Sequence, residues 1–102
     1  MFIDETNDAC CAQAGDNGKC DSALEAVQRG LAVSINHRRR SIGMPQEVLA
    51  QKAQLHRTYI SDIERGARNI SFKNLCRISW ALGTDCASLV AAAEARAKMQ
   101  QD

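Results

Sequence analysis

Between Pro45 and Gly66 the sequence PQEVLAQKAQLHRTYISDIERG carries two apolar patterns that cannot lie along one helix. Leu49, Ala50 and Ala53 form one stripe, and Ile60 and Ile63 form another, each at the spacing of a helix buried on one side. The two stripes are out of phase, so the chain must break near Gln54–Leu55. Two short helices joined by a tight turn satisfy this pattern. The second of them then leaves Arg57, Thr58, Ser61 and Asp62, with Tyr59, on its outer face. That is a set of hydrogen-bonding groups on a rod about as wide as the DNA major groove.

The flanking segments read as further helices. Asp21 or Ser22 suits a helix N-cap, with Glu25 in the first turn opposing the dipole. Leu24, Val27, Leu31 and Ile35 recur three and four apart, which predicts a first helix from Ser22 to about Ser41, with Gly30 weakening its middle. Gly43 ends it in a left-handed cap, and Pro45 suits the first turn of the next helix. Ser71 is placed to cap a fourth helix that turns Phe72, Leu75, Ile78 and Leu82 inward. Asp85 is placed to cap a fifth that runs through Ala95 or beyond. The expected organisation is a flexible acidic tail over 1–21, one all-α, five-helix domain over 22–95, and a fraying end over 96–102.

At 102 residues and with only 4% aromatic residues, the chain has room for one small aliphatic core. The net charge of +1 conceals an asymmetry. Met1 to Gln28 sets Asp4, Glu5, Asp8, Asp16, Asp21 and Glu25 against Lys19, for a net −5, whereas Arg29 to Leu75 carries a net +6. A basic segment that coincides with the outward polar helix is the electrostatic footprint of a DNA binder. No apolar stretch approaches the length of a membrane span, and the N-terminus lacks a signal-peptide pattern, so a cytoplasmic location is expected.

Five cysteines, an odd number, argue against a disulfide framework in such a chain. Cys10, Cys11 and Cys20 lack the paired spacing of a zinc site, so no metal or cofactor is expected, although a thiol- or metal-responsive role for these three is an open alternative. Cys76 and Cys86 fall at apolar positions of helices and read as small core residues. His56 has no nucleophile or carboxylate at a telling spacing, and no catalytic constellation emerges.

Arg39, the run Gln46-Glu47-x-Leu49-Ala50, the run Ile60-x-x-Ile63-Glu64-Arg65-Gly66, and Ala81-Leu82-Gly83 together resemble the Cro/repressor-type (XRE) helix-turn-helix family from about Leu31 to Leu89. Within it, LHRTYISDIERGARNIS is most similar to the controller proteins of restriction–modification systems, which are small dimeric regulators. The resemblance implies a five-helix, lambda-repressor-like domain that binds a double-stranded operator as a homodimer and regulates transcription. It also implies that Arg39 turns inward to pair with Glu64, leaving Arg38 and Arg40 solvated. The family usually has Thr or Ser where this chain has Pro45, which removes a hydroxyl cap.

Read as a recognition helix, the outer face assigns base contacts to Arg57, Thr58 and Asp62. Arg57 suits a bidentate contact with guanine, and Thr58 offers a hydroxyl and a methyl. Asp62 accepts from cytosine or orients Arg57 or Arg65. Backbone contacts are assigned to Gln46, whose amide sits at a positive helix end, and to His56, Tyr59, Arg68 and Asn69. By the same resemblance Trp80, at a position normally polar, forms a dimer interface with Leu89 and Val90; the alternative is that Trp80 folds back on the first helix. A rival reading of the whole is an antitoxin-like module whose acidic tail engages a protein partner.

Overall fold

A computed structural model describes residues 17–101. They form five helices: α1 (Asn17–Ser41), α2 (Gln46–Ala53), α3 (Arg57–Glu64), α4 (Phe72–Ala81) and α5 (Cys86–Gln101). Cys10, Cys11 and most of the expected acidic tail lie outside the described residues. The helix α1 begins before the expected caps, so Asp21 and Ser22 lie within it instead of at its start.

One aliphatic core joins all five elements. Leu31 and Ile35 of α1, Leu49, Ala50 and Ala53 of α2, and Ile60 and Ile63 of α3 meet Leu75 and Ile78 of α4, Leu82 after it, and Leu89 and Ala93 of α5. Because none of these side chains carries a polar atom, their burial leaves no hydrogen-bond debt, and each removes apolar area from water at about 25 cal/mol per Å². Two expected core residues do not join them. Leu24 is 63% exposed and Phe72 is 76% exposed. Each lies on the outward side of its helix, while Ala26 and Val27 of α1 and Leu75 of α4 turn inward.

Gly30 does not split α1. A Cβ built there would stand 2.4 Å from the carbonyl oxygen of Ala93, so the residue marks the point where α1 and α5 pass backbone to backbone. Ala26, Ala93 and Ala97 are buried beside this crossing, where small side chains permit the approach. The chain beyond Ala95 stays helical for the same reason. Ala97 is buried in the crossing, and Arg96 Nε donates to Ser34 Oγ at 3.0 Å.

The turns follow local chemistry. Gly43 and Gly66 take positive φ after α1 and α3. Gln54 takes φ 60° after α2, and Leu55 N–H donates to Ala50 O at 2.9 Å, which closes the helix and turns the chain into α3. Pro45 caps α2 without a side-chain hydrogen bond, and the amides of Val48 and Leu49 donate to its carbonyl. Ser71 Oγ accepts from Asn74 N–H at 3.2 Å, and Asp85 Oδ1 accepts from Ser88 N–H at 2.7 Å. Cys76 and Cys86 sit half-buried between α4 and α5, their sulfurs 2.9 Å apart. No helix among the described residues is long and apolar enough to cross a membrane.

Candidate nucleic-acid interface

The outer face of α3 is held in place from behind by Glu64. Its carboxylate accepts from Arg39 Nε at 2.7 Å and Arg39 Nη2 at 3.0 Å, and from Asn36 Nδ2 and Gln46 Nε2 at 2.9 Å each. Arg39 Nη1 also donates to Met44 O at 2.8 Å. Both side chains are nearly closed to solvent, 11% and 4% exposed. A carboxylate at a helix C-terminus opposes the dipole, and four donors outweigh that cost. Burial pushes the Glu64 carboxyl up, but the hydrogen bonds from Arg39, Asn36 and Gln46 and the Arg39 charge prevail, holding it below the usual range. The Glu64 bond likewise raises Arg39 above its ordinary value. This knot ties α1, the start of α2 and the end of α3 together, fixing the angle of α3. Asn36, three residues before Arg39, was not singled out from the sequence.

On the front, Arg57 and Thr58 are exposed in the first turn of α3. Among the described residues no carboxylate lies within 4.0 Å of Arg57, so its guanidinium is free to donate outward. Together with Ser61, Asp62 and Arg65 the two residues line a shallow depression of about 210 Å³. Asp62 is already engaged, however. It bonds Arg65 through Oδ1 and lies 3.7 Å from Arg68 Nε through Oδ2. Its carboxylate thus orients Arg65, one of the two roles expected for it, and faces Arg68 as an ion pair, while lone pairs remain for a further donor.

A second knot sets the loop after α3. Tyr59 Oη accepts from Asn74 Nδ2 at 2.8 Å, and the Arg68 guanidinium lies over the Tyr59 ring, 5.3 Å from its centroid. Accepting from Asn74 leaves the phenolic proton available to an external oxygen. Gln46 is in a similar state, since Glu64 takes one of its two amide hydrogens. His56 is the exposed N-cap residue of α3 and makes no side-chain cap, and Asn69 is exposed in the loop. Asn74 is a site residue that sequence reasoning missed, because its role depends on α4 packing beside Tyr59.

Two expectations change, and one alternative drops out. Arg38 is half-buried and partnered by protein: its Nε donates to Leu82 O at 3.1 Å and its Nη2 to Gly83 O at 3.3 Å, closing the last carbonyls after α4. Leu89 is 4% exposed and belongs to the core of its own chain, so it is not available to a dimer partner. Trp80 does not fold back on α1. It is 68% exposed and lies beside Lys52, Ala53, Gln54, Arg77 and Ala81, while Val90 is half-buried against the core.

Two short helices joined by a left-handed turn, the second offering a free arginine, define a helix-turn-helix DNA-binding domain. A family model described as helix-turn-helix matches residues 35–89, and the chain belongs to that family of DNA-binding regulators. It is 65% identical over 40 residues to the control protein C.BamHI of Bacillus amyloliquefaciens, a match covering 39% of this chain and about half, 49%, of that protein. It is 37% identical over 70 residues to the control protein C.SmaI of Serratia marcescens, covering 69% of this chain and 83% of the relative. Among solved structures it is similar to the restriction–modification controller protein C.Esp1396I, seen as a tetramer on its natural 35-base-pair operator. That likeness has a TM-score of 0.65 and 33% identity, covering 71% of this chain and 95% of the other.

Proposed function

We propose that the protein is a sequence-specific transcription regulator that binds a palindromic operator as a homodimer and controls its own expression, in the manner of a restriction–modification controller. The observation that carries the reading is Arg57, exposed in the first turn of α3 and free of any carboxylate within 4.0 Å among the described residues. Arg57 and Thr58 read base edges, a guanine contact being the one for which the guanidinium fork is shaped. Arg65 and Arg68, aimed by Asp62, grip phosphates together with Tyr59 Oη, Gln46, His56 and Asn69. Half-sites then lie about one helical turn, roughly 34–36 Å, apart.

The second copy is expected at the α4 face that presents Trp80, since a large exposed aromatic beside apolar Ala81 is costly in water and favourable when covered. Val90 is proposed to contribute to the same interface. The similarity to control proteins, one of them seen as a tetramer on an operator, supports both halves of the reading. The cytoplasm is the compartment where such a regulator acts.

Selection of bound duplexes from a random pool tests it. A palindromic consensus is the expected result. A folded protein that enriches no sequence would overturn the reading.

A further inference from the structure

Away from the recognition surface, a cavity of about 240 Å³ opens between α1, the α4–α5 turn and the start of α5. Its walls include Arg38, Arg96, His37, Ser34, Thr84 and Ser88, and no residue lining it comes from α2 or α3. No carboxylate lines it, and among the described residues neither arginine has one within 4.0 Å. Two guanidinium charges therefore face one small polar space without neutralisation. Each is partly fixed: Arg38 by the carbonyls of Leu82 and Gly83, and Arg96 through Nε by Ser34. These bonds leave Arg38 Nη1 and both Arg96 Nη atoms without a protein acceptor among the described residues. The Thr84 hydroxyl adds a donor to the lining, whereas the Ser88 backbone and side chain are bonded to Asp85 at the start of α5.

We propose that this cavity binds a small, multiply charged oxyanion, a phosphate or diphosphate group carried by a small molecule. The paired Nη atoms of Arg96 match phosphate oxygens in geometry, Arg38 Nη1 adds a further charged donor, and both groups, already partly fixed, lose little freedom on binding. The volume admits a diphosphate but not a duplex. An occupant would tie α1 to both the α4–α5 turn and α5, the two sides of the fold that Arg38 and Arg96 already bridge.

Inorganic pyrophosphate is the probe, titrated into the full chain at constant ionic strength while the side-chain signals of His37 and Arg96 are followed by NMR. Saturable shifts with a raised melting temperature are expected. Arg96→Gln, whose Nε2 falls where Arg96 Nε donates to Ser34 but which lacks the Nη atoms, should bind roughly tenfold or more weakly, the worth of a lost charge-assisted pair. Ser88→Glu places a carboxylate in the cavity while completing a capping box with Asp85, so it should fold normally and lose binding. Shifts equal to those from sodium chloride at the same ionic strength would overturn the proposal, as would unchanged binding in both variants. An operator duplex that moves the same signals and displaces pyrophosphate would reassign the cavity to the DNA backbone and equally overturn it.

Discussion

Arg39 and Glu64 stand 25 positions apart in the chain and meet through two hydrogen bonds of 2.7 and 3.0 Å. The pair closes the angle between α1 and the end of α3, so the helix that faces outward is oriented by a contact on its inner side. Arg39→Ala strands the Glu64 carboxylate with only amide donors. A loss of roughly 3–5 kcal/mol in denaturant unfolding is expected, as for other buried pairs with one partner removed. The double variant Arg39→Met/Glu64→Leu should cost much less than the two single losses added together.

The same carboxylate makes stability depend on pH. Burial raises the Glu64 carboxyl, and the donors around it lower it further than burial raises it, so its folded value lies below the ordinary one. Over that interval the unfolded chain binds more protons, so stability rises with pH. The contribution is fully present above about pH 4.5 and is lost as pH falls through the folded value. Unfolding midpoints measured from pH 7 to pH 3 should fall steeply in the wild type and less in Glu64→Gln. Asp85, lowered by its bonds to the Ser88 backbone and side chain, leaves some of the slope in place.

Arg57 and Arg68 should separate reading from gripping. Arg57→Ala is expected to cost about 1–3 kcal/mol on the selected operator and to relax preference at one guanine. Arg68→Ala should weaken binding evenly across sequences and lower the salt slope by about one unit. Fluorescence anisotropy at several salt concentrations, on operator and scrambled duplexes, distinguishes the two patterns.

Gly30→Ala tests the crossing of α1 and α5. Helix propensity alone would favour alanine by about 1 kcal/mol. The new Cβ would meet the Ala93 carbonyl oxygen at 2.4 Å, a backbone atom that cannot step aside without moving α5. Overpacking of this kind costs typically about 1–3 kcal/mol, so a net fall in melting temperature is expected.

Trp80→Ser should leave the fold intact, because the side chain is 68% exposed. Sedimentation velocity should show a shift from dimer to monomer, with operator affinity falling in parallel. A dimer that persists unchanged would move the interface elsewhere.

Much of the architecture was legible because its signals are local. The phase change between the Leu49–Ala53 and Ile60–Ile63 stripes located the turn at Gln54, and Ser71 and Asp85 announced the starts of α4 and α5 through side chains that reach only three residues. Arg39 and Glu64 were legible differently, through resemblance to a family in which they pair. The outward face of α3 followed from the inward one, since burying Ile60 and Ile63 leaves Arg57 and Thr58 outside.

Tertiary structure decided what lies between elements. The family resemblance placed Leu89 with Trp80 on a surface, but α5 turns Leu89 into the core while Trp80 of α4 stays exposed. It left Arg38 to solvent, whereas the end of α4 arrives within reach of its guanidinium. Helix propensity made Gly30 a weak point of α1, whereas the approach of Ala93 makes it a requirement. The partners of Asp62 were open between arginines, and the turn after α3 brings both Arg65 and Arg68 beside its carboxylate. Caps, turns and stripes are set by neighbours a few residues away, and a single sequence encodes them directly. A helix's rotation about its axis and the partners of its long polar side chains are set by close packing against segments dozens of residues distant, which exist as neighbours only once the core has formed.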